Sequence, residues 1–96
     1  MADATFDELI HAPQRLRICG ALAGASYVEF SELQARLALS KSALSKHVSQ
    51  LVDAAYVEES HITRNGRARL RLSLTHTGQL AYRRHIAALK EITADE

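Results

Sequence analysis

The chain has 96 residues, 47% of them hydrophobic and 24% charged, with a formal net charge of +1 at pH 7. That length holds one modest core but no cleft between lobes, and the composition excludes a disordered chain. The single cysteine, Cys19, excludes an internal disulfide, and with no secretory, lipidation or membrane-spanning signal the expected location is the reducing cytoplasm.

In chain order, Asp3 to His11 is expected to form a short first helix with Phe6, Leu9 and Ile10 as its apolar face. Pro13 suits the first turn of a second helix, where its missing amide is not needed. Leu16, Cys19, Leu22 and Ala23 mark that helix's buried side. A lone cysteine there is usually a small hydrophobe, with a redox-sensing thiol as the alternative. Gly20 reads as the close approach of a neighbouring helix and Gly24 as the end of this one. Tyr27 to Phe30 is expected to be a short extended stretch before the capping Ser31.

From Phe30 to Val57 the chain reads FSELQARLALSKSALSKHVSQLVDAAYV, a pattern of two short helices around a tight turn. Ser31 and Gln34 make an S-x-x-Q capping box for the first, whose apolar face is Leu33 and Leu37. Ala38 and Leu39 form the turn, and Ser40 is placed to cap a second helix starting at Lys41. In that helix Leu44, Val48, Leu51, Val52 and Ala55 fall at i, i+4, i+7, i+8 and i+11, the spacing of a buried face. Opposite them run Ser42, Ser45, Lys46, Ser49 and Asp53. Short hydrogen-bonding side chains with a cation near the helix start are what a recognition helix needs to enter a major groove. The competing reading is an ordinary solvated face.

Tyr56 to Arg64 and Arg67 to Leu74 flank Asn65-Gly66, the dipeptide best suited to a two-residue type I′ turn. Such a turn sets Arg64 opposite Arg67, Ile62 opposite Arg69 and Ser60 opposite Arg71. The other face carries Val57, His61, Ala68, Leu70, Leu72 and Leu74 and is expected to be buried. Arg64 and Arg67 then repel each other at the tip, and a phosphate between them is the natural remedy. The alternative is a solubilising face with Glu58 paired diagonally to Arg71. Charge is uneven along the chain: residues 36 to 71 carry seven Lys or Arg against three acids, a surplus of +4, while the rest carries −3. One side is therefore suited to a polyanion.

Thr75 or Thr77 can cap a last helix running to about Thr93, with Leu80, Tyr82, Ile86, Leu89 and Ile92 as apolar positions, more than one small domain needs. His11, His47, His61, His76 and His85 form no i, i+3 or i, i+4 pair, so structural histidines are expected and no metal site. No clustered nucleophile, base and orienting group, and no Gly-rich phosphate loop, is present, so no catalytic residue is assigned.

The stretch LSKSALSKHVSQLVDAAYV, preceded by FSELQARL and followed by a basic hairpin, resembles the winged helix-turn-helix of bacterial transcriptional regulators near the MarR and ArsR groups. The resemblance extends upstream to HAPQRLRICGAL and downstream to LSLTHTGQLAY. One departure is Ala55, where the family usually has the glycine that ends the recognition helix with a positive φ.

The resemblance implies an α+β fold, a mostly helical winged helix-turn-helix with a two- to three-stranded β-wing and a C-terminal dimerisation helix. A single domain over 1–96 is expected, with the helix-turn-helix at 31–55, the wing at 56–74 and the last helix at 76–93. The implied function is sequence-specific binding of double-stranded DNA by a homodimeric transcriptional regulator on an inverted repeat, neither an enzyme nor cofactor-dependent. Ser42, Ser45, Lys46 and Ser49 are assigned to the major groove, Ser31, Arg36 and Lys41 to phosphates, and Arg64, Arg67 and Arg69 to the wing contact. Phe6, Leu9, Ile10, Tyr82, Ile86, Leu89 and Ile92 are assigned to the dimer interface. The alternatives are a winged helix used only for protein interaction, and a metal- or redox-responsive repressor. The operator and any small-molecule effector are not encoded in a readable form.

Overall fold

The computed structural model describes residues 3–94, so both ends of the expected 1–96 domain lie outside the described residues. The first local signal is a cap. The Asp7 carboxylate accepts from the Ile10 N–H at 2.9 Å, and the first helix, α1, is only Glu8–His11. A helix starting at Asp3 is not formed, because the Thr5 N–H bonds the Arg84 carbonyl at 3.0 Å and holds that segment along the last helix. Phe6 therefore lies outside α1, while Ile10 is fully buried.

Pro13 opens α2 (Pro13–Ala23), whose buried residues are Ile18, Cys19 and Leu22. Ile18 escaped the sequence reading. The helix stops at Gly24, which keeps an ordinary negative φ of −90°. Gly20 is a close approach: a Cβ there would stand 3.2 Å from the Tyr82 hydroxyl oxygen.

Strand β1 is two residues, Val28–Glu29, and α3 (Phe30–Leu37) starts directly from it. The cap position is thus Glu29, without a side-chain cap bond, and the box expected from Ser31 and Gln34 does not form. The reason is geometric. Strand pairing holds Glu29 extended opposite Arg71, so the helix begins two residues early and Ser31 already lies in its first turn, past the extended backbone an N-cap requires.

The turn after α3 bends at Ala38 in the left-handed region, φ 54°. Ser40 then caps α4 (Lys41–Asp53) by accepting from the Ala43 N–H at 3.1 Å. At the far end, the Tyr56 N–H reaches the Leu51 carbonyl and the Ala55 N–H the Val52 carbonyl, both at 2.9 Å. This is a Schellman motif, with Ala55 itself left-handed at φ 63°. The alanine keeps the conformation a glycine usually supplies.

Strands β2 (Val57–Arg64) and β3 (Arg67–Leu74) form the hairpin, and β1 adds to the other edge of β3 in an antiparallel sheet ordered β1-β3-β2. Asn65 and Gly66, at φ 54° and 75°, carry the positive angles of a type I′ turn. The register is the expected one, Arg64 opposite Arg67, Ile62 opposite Arg69 and Ser60 opposite Arg71. The inner face is buried only at the base. Val57 and Leu72 enter the core, whereas His61 and Ala68 are exposed, because the outer half of the hairpin extends beyond the helices that could cover it.

Thr75 caps α5 (His76–Thr93), accepting from the Gly78 N–H at 2.9 Å. The residues α5 buries are Gly78, His85 and Ala88. Its larger side chains Tyr82, Ile86 and Leu89 are half-buried, and Ile92 is 62% exposed. The core itself gathers Ile10, Ile18, Leu22, Leu33, Leu44, Leu51 and Leu72, all without solvent exposure. Residues from α1, α2, α3 and the wing base thus fix the orientation of α4.

Candidate nucleic-acid interface

Because Leu44, Val48 and Leu51 point inward, Ser42, Ser45, Lys46, Ser49 and Asp53 form the exposed face of α4. The first turn of α4 holds no acid, so the positive end of its dipole is unopposed and Lys41 adds to it. Behind the helix, Arg15 donates from Nη1 to Gln50 Oε1 at 2.7 Å and from Nε to the Leu9 carbonyl at 2.6 Å, and its Nη1 lies 3.2 Å from His47 Nδ1. This cluster ties α4 to the N-terminal helices and makes His47 structural. No sequence spacing announces it, since the partners come from three separate elements.

Between the helix-turn-helix and the hairpin lies a cleft of about 480 Å³, lined by Glu29, Phe30, Ser31, Gln34, Lys41, Ser45, His61, Ala68, Arg69 and Leu70. Four of the ten residues assigned to DNA, Ser31, Lys41, Ser45 and Arg69, thus share one concave surface. Ser42, Lys46 and Ser49 continue along α4 as exposed positions. Arg36 is exposed too, but is ion-paired with Glu32 one turn earlier.

The wing arginines are not equivalent. Arg67 is exposed at the tip, whereas Arg64 Nη2 lies 2.8 Å from Glu29 Oε2. The repulsion between these two arginines is therefore relieved within the chain, and no bound anion is needed to explain it. The Arg71 guanidinium sits 3.3 Å from the centroid of the Tyr27 ring, a cation–π contact in place of the diagonal pair with Glu58 that the alternative, solubilising reading requires. Arg69 and Arg71 each hold a buried Nε with no hydrogen-bond partner.

At the opposite end, the Asp7 N–H donates to His85 Nδ1 at 2.9 Å, and His85 Nε2 lies 3.2 Å from His11 Nδ1. Since Nδ1 of His85 accepts, its Nε2 carries the proton and donates to His11. Phe6 packs on both rings, and the Tyr56 hydroxyl donates to Asp7 Oδ2 at 2.6 Å. That bond and burial push the Tyr56 pKa up to about 12. Burial likewise pushes the Cys19 thiol up to about 12, which removes the thiolate that a redox sensor needs. Among the described residues no three His, Cys, Asp or Glu side chains converge to hold a metal.

Of the residues assigned to a dimer interface, Ile10 is spent in the chain's own core and Leu9 packs against it. Phe6 stays 38% exposed. Tyr82 and Ile86 line a second groove of about 470 Å³, together with Ala4, Arg83, Ala87, Lys90 and Glu91.

The family model for the winged helix DNA-binding domain matches residues 14–93. The chain is 24% identical over 86 residues to the uncharacterized protein MJ0432 of Methanocaldococcus jannaschii, covering 90% of this chain and 94% of that one. Among solved structures, a transcriptional regulator homologue from Pyrococcus horikoshii superposes with a TM-score of 0.86 at 24% identity, over 92% of this chain and 87% of the other. The YusO protein of Bacillus subtilis gives 0.77 at 26% identity, over 85% and 57%. With a helix-turn-helix, a twisted arginine hairpin and a matching family model over most of its length, the chain belongs to the winged helix DNA-binding domain family.

Proposed function

We propose that this protein is a transcriptional regulator that binds double-stranded DNA sequence-specifically as a homodimer on an inverted repeat. The observation that carries this reading is the shared cleft, in which Ser31, Lys41 and Ser45 of the helix-turn-helix face Arg69 of the wing. A duplex seated there would take Ser42, Ser45, Lys46 and Ser49 into the major groove. Ser31, Arg36 and Lys41 would meet phosphates, and Arg67 and Arg69 the backbone flanking the minor groove. Arg64 joins them only after leaving Glu29. The description of the Pyrococcus horikoshii protein as a transcriptional regulator homologue supports the regulatory role.

Dimerisation is supported by the apolar positions that α5 leaves incompletely covered, Tyr82, Ile86, Leu89 and Ile92, and by Phe6, which also stays exposed. Burying that stripe against a second copy would place two recognition helices about one DNA turn, roughly 34 Å, apart. No helix among the described residues is long and apolar enough to cross a membrane, and we place the protein in the cytoplasm as a binding protein and not an enzyme.

The test has two arms. Titration of genomic-fragment pools with purified protein should enrich one inverted-repeat sequence, and binding should weaken steeply with salt. In sedimentation velocity the parent should run as a dimer, and Leu89→Glu should run as a folded monomer that binds the full site far more weakly. Binding to an acidic protein surface but to no duplex would move the reading to a protein-interaction module. A monomeric parent would remove the dimer alone.

A further inference from the structure

Glu29 stands in an unusual place. It is the N-cap residue of α3, yet its carboxylate makes no cap bond to the helix and instead reaches Arg64 at 2.8 Å. Its side chain is only 14% exposed, against 54% for Arg64. The carboxylate is therefore the more enclosed partner and the arginine the more solvent-exposed one. Glu29 also pairs in register with Arg71, which puts it on the same face of the sheet as Arg64 and Arg69, and it is the one acid in the lining of the DNA-side cleft.

From this placement we infer that Glu29 acts as an internal stand-in for phosphate, holding Arg64 in the free protein and setting how tightly the wing grips DNA. The inference rests on the DNA-binding reading above. A phosphate that recruits Arg64 must first break its contact with a carboxylate that is largely shielded from water. Part of the attraction of the wing for any polyanion is thereby cancelled. The cancellation is uniform along DNA, because phosphates carry no sequence, so it lowers background binding without touching base contacts made by α4. Where the wing meets phosphate in both modes, specific and background binding fall by the same factor, so the pair sets the overall grip on DNA and leaves the ratio between them unchanged.

The experiment compares the parent, Glu29→Gln, Arg64→Gln and the double variant on random-sequence duplex over a salt series. Glu29→Gln should bind about three- to tenfold more tightly near 0.1 M salt with the slope of log K against log salt unchanged, because Arg64 reaches the same phosphate in both chains and only the cost of leaving Glu29 is removed. In the Arg64→Gln background the same change should have little effect, since Glu29 acts through Arg64. A gain that persists in that background would mean a general charge effect and overturn the inference, as would unchanged or weaker binding by Glu29→Gln. Should Glu29→Gln fail to fold, the parent carries the test: the carboxyl ¹³C resonance of Glu29 should shift on titration with duplex as its partner leaves, and a resonance that does not move overturns the inference. A parent that binds no duplex sinks the DNA reading and this inference with it, whereas a parent that binds while Glu29→Gln gains nothing sinks the inference alone.

Discussion

Gly78 lies flush against the backbone of Tyr56, so that a Cβ added at Gly78 would run into the Tyr56 carbonyl oxygen. That same oxygen accepts from the Thr75 N–H at 3.0 Å, and Thr75 in turn donates its hydroxyl to the Ala55 carbonyl at 2.6 Å. The start of α5 is thus stitched to the residues that end α4. Backbone cannot yield as a flexible side chain does, so Gly78→Ala should destabilise the fold by about 3 kcal/mol or more, read from urea unfolding. A loss below about 1 kcal/mol would show that the two elements separate easily.

Ala55 predicts the opposite sign. It holds φ 63° in a Schellman motif whose two hydrogen bonds are both made, so the strain sits in the alanine and not in the geometry. Ala55→Gly should stabilise by about 1 kcal/mol, less a few tenths for the added freedom of the unfolded chain. In a domain of this size that raises Tm by about 5 °C. DNA affinity should not change, because Ala55 is at the far end of α4 from its capped start. A destabilised glycine variant would show that α4 ends differently in solution.

A third expectation concerns pH. Burial first, and then the neighbouring His11, lower the pKa of His85 from 6.5, against weaker opposing effects of Asp7 and Glu8. The sign follows from proton counting. Below about pH 6.5 the unfolded chain takes up a proton that folded His85 refuses until its lower pKa is reached, so stability falls on acidification across that window and is fully present above it. Protonation would also turn Nδ1 from acceptor to donor and break its bond from the Asp7 N–H. His85→Asn keeps an acceptor near that position without a titrating group. Unfolding free energies measured from roughly pH 8 to roughly pH 5 should therefore fall less steeply for the variant than for the parent. Parallel curves would exclude His85 as the cause.

These sites differ in how far the sequence disclosed them. The wing register was legible because Asn65-Gly66 admits one turn type, and that turn fixes every pair behind it. The start of α4 was legible because a serine cap is a local bond between near neighbours. Ser31 misled because the extended stretch expected over Tyr27 to Phe30 already ends at Glu29, and only its pairing with β3 sets where it stops. The Glu29–Arg64 pair, the Arg15 cluster and the His11–His85 contact were beyond reach for one reason: each joins elements whose docking only the folded core defines. The dependence is the same for Ile10, whose apolar character does not say whether its own core or a second chain covers it.

The last prediction separates reading DNA from holding it. Lys46 and Arg67 are both exposed cations on the proposed DNA side, but Lys46 projects from α4 among Ser42, Ser45 and Ser49, and Arg67 stands at the hairpin tip beside the turn. A side chain on the recognition helix meets base edges, where donors and acceptors differ between base pairs. One at the wing tip meets phosphate, which is the same everywhere. Lys46→Ala should therefore cost about 1 to 3 kcal/mol on the selected site and much less on random duplex. Arg67→Ala should weaken both by a similar factor and flatten the salt dependence by about 0.9. Titrations of both variants on both duplexes over a salt series check this together. Equal losses for Lys46→Ala on the two duplexes would reassign that lysine to a phosphate and leave Ser42, Ser45 and Ser49 to carry the sequence choice.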